Sequence, residues 1–181
     1  MNRDLTDRLV TAFPRLYRGR SEPMTTNLMG FGFECGDGWF DLIHWLSGEI
    51  TRVAEGEGRT ESEWPKAIQV KEKFGELRFY ADGLSPAMAE AVDRAEEASL
   101  GTCELCGGGG RLRREAGWMT TLCAYHASTT YRVGRRAAQA VERLGRLLAP
   151  PDGGSPAGAT AEGCSGDELS RILDPVVLAF F

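Results

Sequence analysis

The chain has 181 residues, 42% of them hydrophobic, and a formal net charge of −5 at pH 7, enough to bury a core in one domain or in one domain with an appendage. Two classes are excluded. No apolar run reaches the roughly 18 residues of a membrane-spanning helix, and the opening MNRDLTDRLVTAF places acidic residues where a secretory signal needs a basic region and then an apolar one.

A soluble cytoplasmic protein with no membrane partner is therefore expected. The five cysteines agree, because the count is odd and three of them sit at metal-ligand spacing rather than spread as a disulfide framework. Charge is uneven along the chain. Residues 1–110 hold 12 basic and 19 acidic side chains, residues 111–148 hold eight arginines against Glu115 and Glu142, and residues 149–181 hold Arg171 against five acids. A basic segment in an acidic chain points to an anionic partner or to complementarity within the molecule.

Leu5, Leu9, Val10, Phe13, Leu16 and Tyr17 recur at helical spacing and predict a first helix over about 3–13, interrupted by Pro14. Residues 19–38 read as a loop ending in FGFECGDG, where a short strand fits. Asp37 is the expected N-cap of a second helix over about 38–54. Its apolar face carries Trp39, Leu42, Ile43, Leu46, Ile50 and Val53. After the polar AEGEGRTESE, Ile68 and Val70 alternate with polar neighbours, as do Leu77 and Phe79, so VKEKFGELRFY reads as a β-hairpin turning at Gly75. Ser85 as N-cap and Pro86 as first helical residue open a third helix, with Met88, Ala91, Val92, Ala95 and Ala98 on one face and an end near Gly101.

The next segment carries the strongest signal: Cys103-x2-Cys106, sixteen residues, Cys123-x2-His126. Two ligands two residues apart form a knuckle that turns both side chains toward one ion, and the glycines 107–110 permit the tight backbone after the first knuckle. RLRRE returning as GWMTTL makes a small hairpin that brings the second pair beside the first. Three sulfurs and one imidazole in a closed tetrahedron select Zn2+. This is a zinc ribbon with one cysteine replaced by histidine. A catalytic zinc keeps a position open for water, usually with three protein ligands. Four candidate ligands make the expected zinc structural. A nucleobase deaminase needs His-x-Glu before its Cys-x-x-Cys, but His44 is followed by Trp45 and Leu46. No histidine lies between Cys106 and Cys123 to serve a nuclease of the ββα type.

A long helix over about 124–148 follows. On a helical wheel Arg132, Arg135, Arg136, Arg143 and Arg146 fall within an arc of roughly 100°. With Arg111, Arg113 and Arg114 on the hairpin they form a candidate anion or nucleic-acid contact surface; the competing reading is a solvated face paired with the acidic N-terminal part. Arginine without lysine favours bidentate anion recognition, while the sequence pI near 5.2 argues against general nucleic-acid binding. Residues 149–166 have linker composition. Residues 167–181, DELSRILDPVVLAFF, are apolar again and are expected to fold back or to insert into a partner. Cys35, Asp37, Asp41 and His44 admit an enzyme reading, a thiol with His44 as base. Against it stands a glycine-rich turn, an aspartate cap and an amphipathic helix.

Three blocks, FECGDGWFDLI, QVKEKFGELRFY and TCELCGGGGRL…GWMTTLCAYH, resemble in that order a family of small bacterial and bacteriophage proteins. The resemblance covers about residues 5–127 and matches Cys103, Cys106, Cys123 and His126 to that family's apparent zinc ligands. It carries no activity with it. It implies a bacterial or phage setting, in which modulation of a host or defence protein is a natural role.

The expectation is thus an α+β protein: an α/β-hairpin lobe over 1–101, a Cys3His zinc ribbon with a basic helix over 102–148, a flexible linker over 149–166 and an apolar segment over 167–181. The first functional reading is a non-catalytic zinc-binding protein that binds another protein. The alternatives are a nucleic-acid-binding regulator using the arginine helix and an enzyme using the Cys35 region.

Overall fold

The computed structural model describes residues 1–115, 117–128, 131, 141 and 143. The chain divides into a unit over Met1–Gln139 and a second over Ala140–Phe181; the fold below is that of the first. Most of the expected basic helix, with Arg132, Arg135, Arg136 and Arg146, and all of the linker and apolar segment lie outside the described residues. Arg143 is helical and exposed.

The elements are α1 (Arg3–Ala12), β1 (Phe33–Glu34), α2 (Phe40–Gly56), β2 (Lys66–Lys73), β3 (Glu76–Asp82), α3 (Pro86–Ser99), β4 (Arg111–Glu115) and β5 (Trp118–Leu122). Two sheets result. In the larger, β1 pairs parallel to β2, which pairs antiparallel to β3; β4 and β5 form a separate hairpin. The mixed helix-and-sheet architecture agrees with the α+β expectation. Among the described residues no helix is long and apolar enough to cross a membrane.

The core is where the helical and strand periodicities point. Ile43, Leu46, Ile50 and Ala54 of α2 are fully buried, as are Leu9, Val70, Leu77, Met88 and Ala95. α3 packs on α2 and β3. Buried apolar area of this kind is worth roughly 25 cal/mol per Å2, so this cluster is the main stabilising element of the lobe. Two polar clusters inside it are paired, whereas the buried Trp64 Nε1 has no partner among the described residues. Tyr17 Oη donates to Ser47 Oγ at 2.6 Å, and Ser47 Oγ in turn donates to Ile43 O at 2.7 Å. Asn27, fully buried, donates from Nδ2 to Ala67 O at 3.0 Å and accepts from Met29 N at 2.8 Å.

The structure departs from the sequence reading at several places, each with a local cause. In β2 the buried residues are Ala67 and Val70, with Ile68 half-buried, because a register shift between Ala67 and Gln69 inserts an extra residue. Such a bulge breaks the period of two on which the alternation was read. Asp37 does not cap α2. It opens a 3-10 turn over Asp37–Trp39, and its carboxylate accepts from Asn2 N at 2.6 Å and Asn2 Nδ2 at 2.8 Å. Ser85 holds the N-cap position of α3 but makes no side-chain capping bond. Ala124–Ala127 form a turn rather than the start of a helix. In α3, Ser99 replaces Ala98 on the buried face: its Oγ donates to Glu96 O at 2.5 Å and accepts from Leu77 N at 2.9 Å.

Candidate metal centre

The first knuckle follows directly from the end of α3. Thr102 bridges to Gly109, Cys103 N donates to Gly108 O at 2.7 Å, and Gly107 N donates to Cys103 O at 2.8 Å. Two of the four glycines are demanded by this geometry. Gly107 has φ of 74°, in the left-handed region that glycine enters without penalty. A Cβ on Gly110 would stand 2.7 Å from Cys103 N. The chain then runs out along β4 and back along β5 with Arg111 opposite Leu122. That register sets Cys123 beside Cys103, and Glu104 N donates to Thr121 O at 3.0 Å. A final turn, closed by Ala127 N donating to Cys123 O at 3.1 Å, swings His126 inward.

The four expected ligands converge. The sulfurs of Cys103, Cys106 and Cys123 and a ring nitrogen of His126 all lie within 4.8 Å of one another. His126 Nδ1 is 3.3 Å from Cys103 Sγ and 3.2 Å from Cys123 Sγ, and Cys106 Sγ is 4.0 Å from Cys123 Sγ. A tetrahedron with metal–sulfur bonds of about 2.3 Å and a metal–nitrogen bond of about 2.0 Å has edges of roughly 3.5–3.8 Å. The donor set therefore fits around one ion. None of the three cysteines is in a disulfide, and His126 packs its ring edge-on to Tyr131 at 4.6 Å.

The electrostatics also call for a cation. Burial opposes ionisation of the Cys103 thiol, but the backbone N–H groups of Cys123, Leu105 and Cys106 and the His126 ring aim at its sulfur and bring its pKa down to about 6. Cys106 goes the other way. The Gly108 N–H favours its thiolate, yet burial and the neighbouring sulfurs of Cys103 and Cys123 raise its pKa. Several thiolates this close repel one another unless a positive charge sits among them. A metal ion held by the four donors would supply that charge.

The centre is built into the lobe by contacts that span the sequence. Gly38 N donates to Glu104 O at 2.8 Å, Gly36 N donates to Glu104 Oε1 at 2.9 Å, and Trp39 Nε1 donates to Thr102 O at 2.9 Å. On the other side Thr121, fully buried, donates from Oγ1 to Gly75 O at 2.6 Å. The Gly-Asp-Gly turn thus carries the first knuckle, and the β2–β3 turn carries the β4–β5 hairpin. The FECGDGWFDLI, QVKEKFGELRFY and TCELCGGGGRL…GWMTTLCAYH blocks thus come together at this centre. Gly36, Gly38, Gly75, Glu104 and Thr121 were not singled out as site residues from the sequence. The one available signal was the pair of glycines flanking Asp37.

Of the other sequence candidates, Arg111, Arg113, Arg114, Cys35 and His44 are among the described residues. Arg113 donates from Nε to Leu122 O at 3.2 Å, within the hairpin, while Arg111 and Arg114 are exposed. Cys35 is buried, and that burial pushes its thiol up to about 12, with the carboxylates of Glu104, Asp37 and Glu72 adding to the effect against the opposing N-terminal charge. His44 instead packs against Phe13 at 5.0 Å and Phe40 at 5.8 Å.

Fold and site together define an α+β protein bearing a Cys3His group able to hold one metal ion. Comparison with family models, with curated proteins and with solved structures finds no match to this chain.

Proposed function

We propose that this chain is a non-catalytic zinc-binding protein in which a structural Zn2+ holds together a surface that binds another protein. The convergence of three sulfurs and one imidazole nitrogen, within 4.8 Å of one another, carries the metal part of this reading. Soft thiolates with one imidazole in a tetrahedral set favour zinc over the harder cations. Four donors fill that tetrahedron and leave no position for a reacting water, so the metal's role is to fold the chain. Metal binding of this kind is worth roughly 10–16 kcal/mol in zinc-finger peptides, as much as the whole stability of a small domain. The buried thiol of Cys35, held protonated at neutral pH, weighs against a nucleophile there.

Elemental analysis of the purified protein tests the metal, with one zinc per chain expected. Cross-linking mass spectrometry on a tagged, zinc-loaded protein in a bacterial extract tests the partner, and the resemblance to bacterial and phage proteins directs the search to host and defence proteins. One reproducible cross-linked protein, lost on chelation, is the expected result. The second reading, a nucleic-acid-binding regulator, draws on exposed Arg111 and Arg114. Retention on DNA or RNA that falls steeply with salt would favour it.

A further inference from the structure

The two hairpins end side by side, and their turns carry large apolar side chains into water. Phe74, in the β2–β3 turn, is 66% exposed, and Trp118, at the start of β5, is 78% exposed. Between them runs a groove of about 320 Å3, lined by Glu72, Lys73, Phe74, Gly117, Trp118 and Met119. Phe74 is doubly out of place. Its φ is 58° and that of Gly75 is 81°, so both residues of this two-residue turn are left-handed. Asparagine or aspartate followed by glycine is the favoured pair there. A bulky aromatic residue in that conformation is strained, and here it gains no burial in return. An observed outlier of this kind is a pointer to function.

The rim of the groove is basic. Lys73 Nζ lies 5.5 Å from the centre of the Phe74 ring. Arg114 pairs across the hairpin with Met119, a groove residue, and is exposed. Among the described residues neither Lys73 nor Arg114 has an ion-pair partner. Among the described residues the one acid lining the groove is Glu72, and its Oε1 accepts from Gly75 N at 2.5 Å. An apolar slot between two aromatic side chains, edged by two exposed cations, is complementary to an apolar side chain next to a carboxylate. Aromatic residues, methionine and arginine are also the residue types enriched at protein–protein contacts.

We propose that the paired hairpin tips form the docking groove for a protein segment that inserts one large apolar side chain between Phe74 and Trp118 and sets an adjacent Asp or Glu against Lys73 and Arg114. This rests on the protein-binding reading above and gives that partner its chemistry. The overall acidity of the chain, with net charge −5, disfavours a nucleic-acid strand as the occupant. The metal centre positions the groove, since Thr121 and Leu112 of the zinc hairpin pack on Gly75.

The test is a selection of random peptides displayed on phage against the full-length, zinc-loaded protein, followed by affinity measurements on the synthetic peptides recovered. Enriched peptides are expected to pair Leu, Phe, Met or Trp with a neighbouring acid. Trp118→Ala and Phe74→Asn should each weaken them by about tenfold or more, and Lys73→Glu with Arg114→Glu should abolish the preference for the acid. All variants lie at exposed positions and should keep their zinc and melt no lower than the parent, which separates lost contact from lost fold. Failure to enrich any peptide, or peptides that bind Trp118→Ala as well as the parent, overturns the proposal. So does salt-sensitive binding of single-stranded oligonucleotides that depends on the same two aromatic residues. A cross-linked partner that survives both aromatic substitutions sinks the groove but leaves the protein-binding reading standing; absence of any partner sinks both.

Discussion

Gly38 lies directly beneath the carbonyl of Cys103: a Cβ there would stand 2.3 Å from Cys103 O and 2.5 Å from Cys106 N. With Gly107 N also at 2.3 Å, all three obstructing atoms are backbone and belong to the first knuckle, so none can rotate away. A side chain of any size at position 38 must push the knuckle off the lobe.

Gly38→Ala is therefore expected to cost about 1–3 kcal/mol or more by overpacking, which for a protein of this size is about 2–4 °C of melting temperature per kcal/mol. It should also lower zinc affinity, by roughly the ten- to hundredfold typical when the supports of metal ligands are disturbed. Competition with a chromogenic chelator measures this. Gly48→Ala is the control. It lies within α2, where a new Cβ would touch nothing nearer than Phe13 Cζ at 3.9 Å. Exchanging glycine for alanine in a helix interior stabilises by about 0.5–1 kcal/mol. Equal effects from the two substitutions would refute the special role of Gly38.

Removal of the metal should be felt in the lobe as well as in the hairpin. Trp39 is fully buried and donates from Nε1 to Thr102 O at 2.9 Å, so its environment depends on the knuckle's position. Chelation, or Cys103→Ser, should abolish stoichiometric zinc, lower the melting temperature and shift the tryptophan emission toward that of exposed indole. A chelated protein with an unchanged melting curve would mean that the four ligands do not hold a structural ion.

The periodic elements were legible because their signals are local. α1, α2, α3 and the β2–β3 hairpin all lie within a few residues of their sequence reading, and the ligand spacing of Cys103, Cys106, Cys123 and His126 is itself a local pattern. What could not be read is long-range. Asp37 resembled a helix cap because its neighbours suit one, but its hydrogen-bond partner is Asn2, 35 residues earlier. Gly36 and Gly38 read as ordinary turn glycines, yet the backbone they admit belongs to Glu104, Cys103 and Cys106. Asn27 gave no sign of becoming a fully buried clasp between a turn and β2. Close approach of two distant backbones leaves only missing side chains in a sequence, and missing side chains have many causes.

Cys35 supplies a pH dependence whose sign can be worked out. Its thiol is pushed up to about 12 in the folded protein, chiefly by burial, against about 8.5 in an unfolded chain. Between those values the unfolded chain releases a proton that the folded protein keeps. Stability from this group is complete below about pH 8.5 and is lost as pH rises toward the folded value. At pH 10 the loss is on the order of 2 kcal/mol. Urea denaturation at pH 8 and pH 10 should therefore show a steeper decline for the parent than for Cys35→Ala. In the native protein Cys35 should also resist alkylation at neutral pH. Rapid labelling of Cys35 would reopen the enzyme reading.

Phe74→Asn separates stability from function at a single position. The left-handed conformation of Phe74, with φ of 58°, costs a bulky residue about 1–2 kcal/mol; asparagine adopts it more readily and is the preferred partner of a following glycine in such a turn. With 66% of Phe74 exposed, little burial is lost in the exchange. The Lys73 contact to its ring, at 5.5 Å, is worth only about 0.5–1 kcal/mol at an exposed site. The balance favours asparagine, so the variant should melt at the same temperature as the parent or a few degrees higher, as scanning calorimetry would show. That outcome would mean that Phe74 costs the native turn stability, as its proposed role at the groove requires. If Phe74→Asn instead melts several degrees lower, the ring is packed in the native turn and its exposure carries no information about a partner.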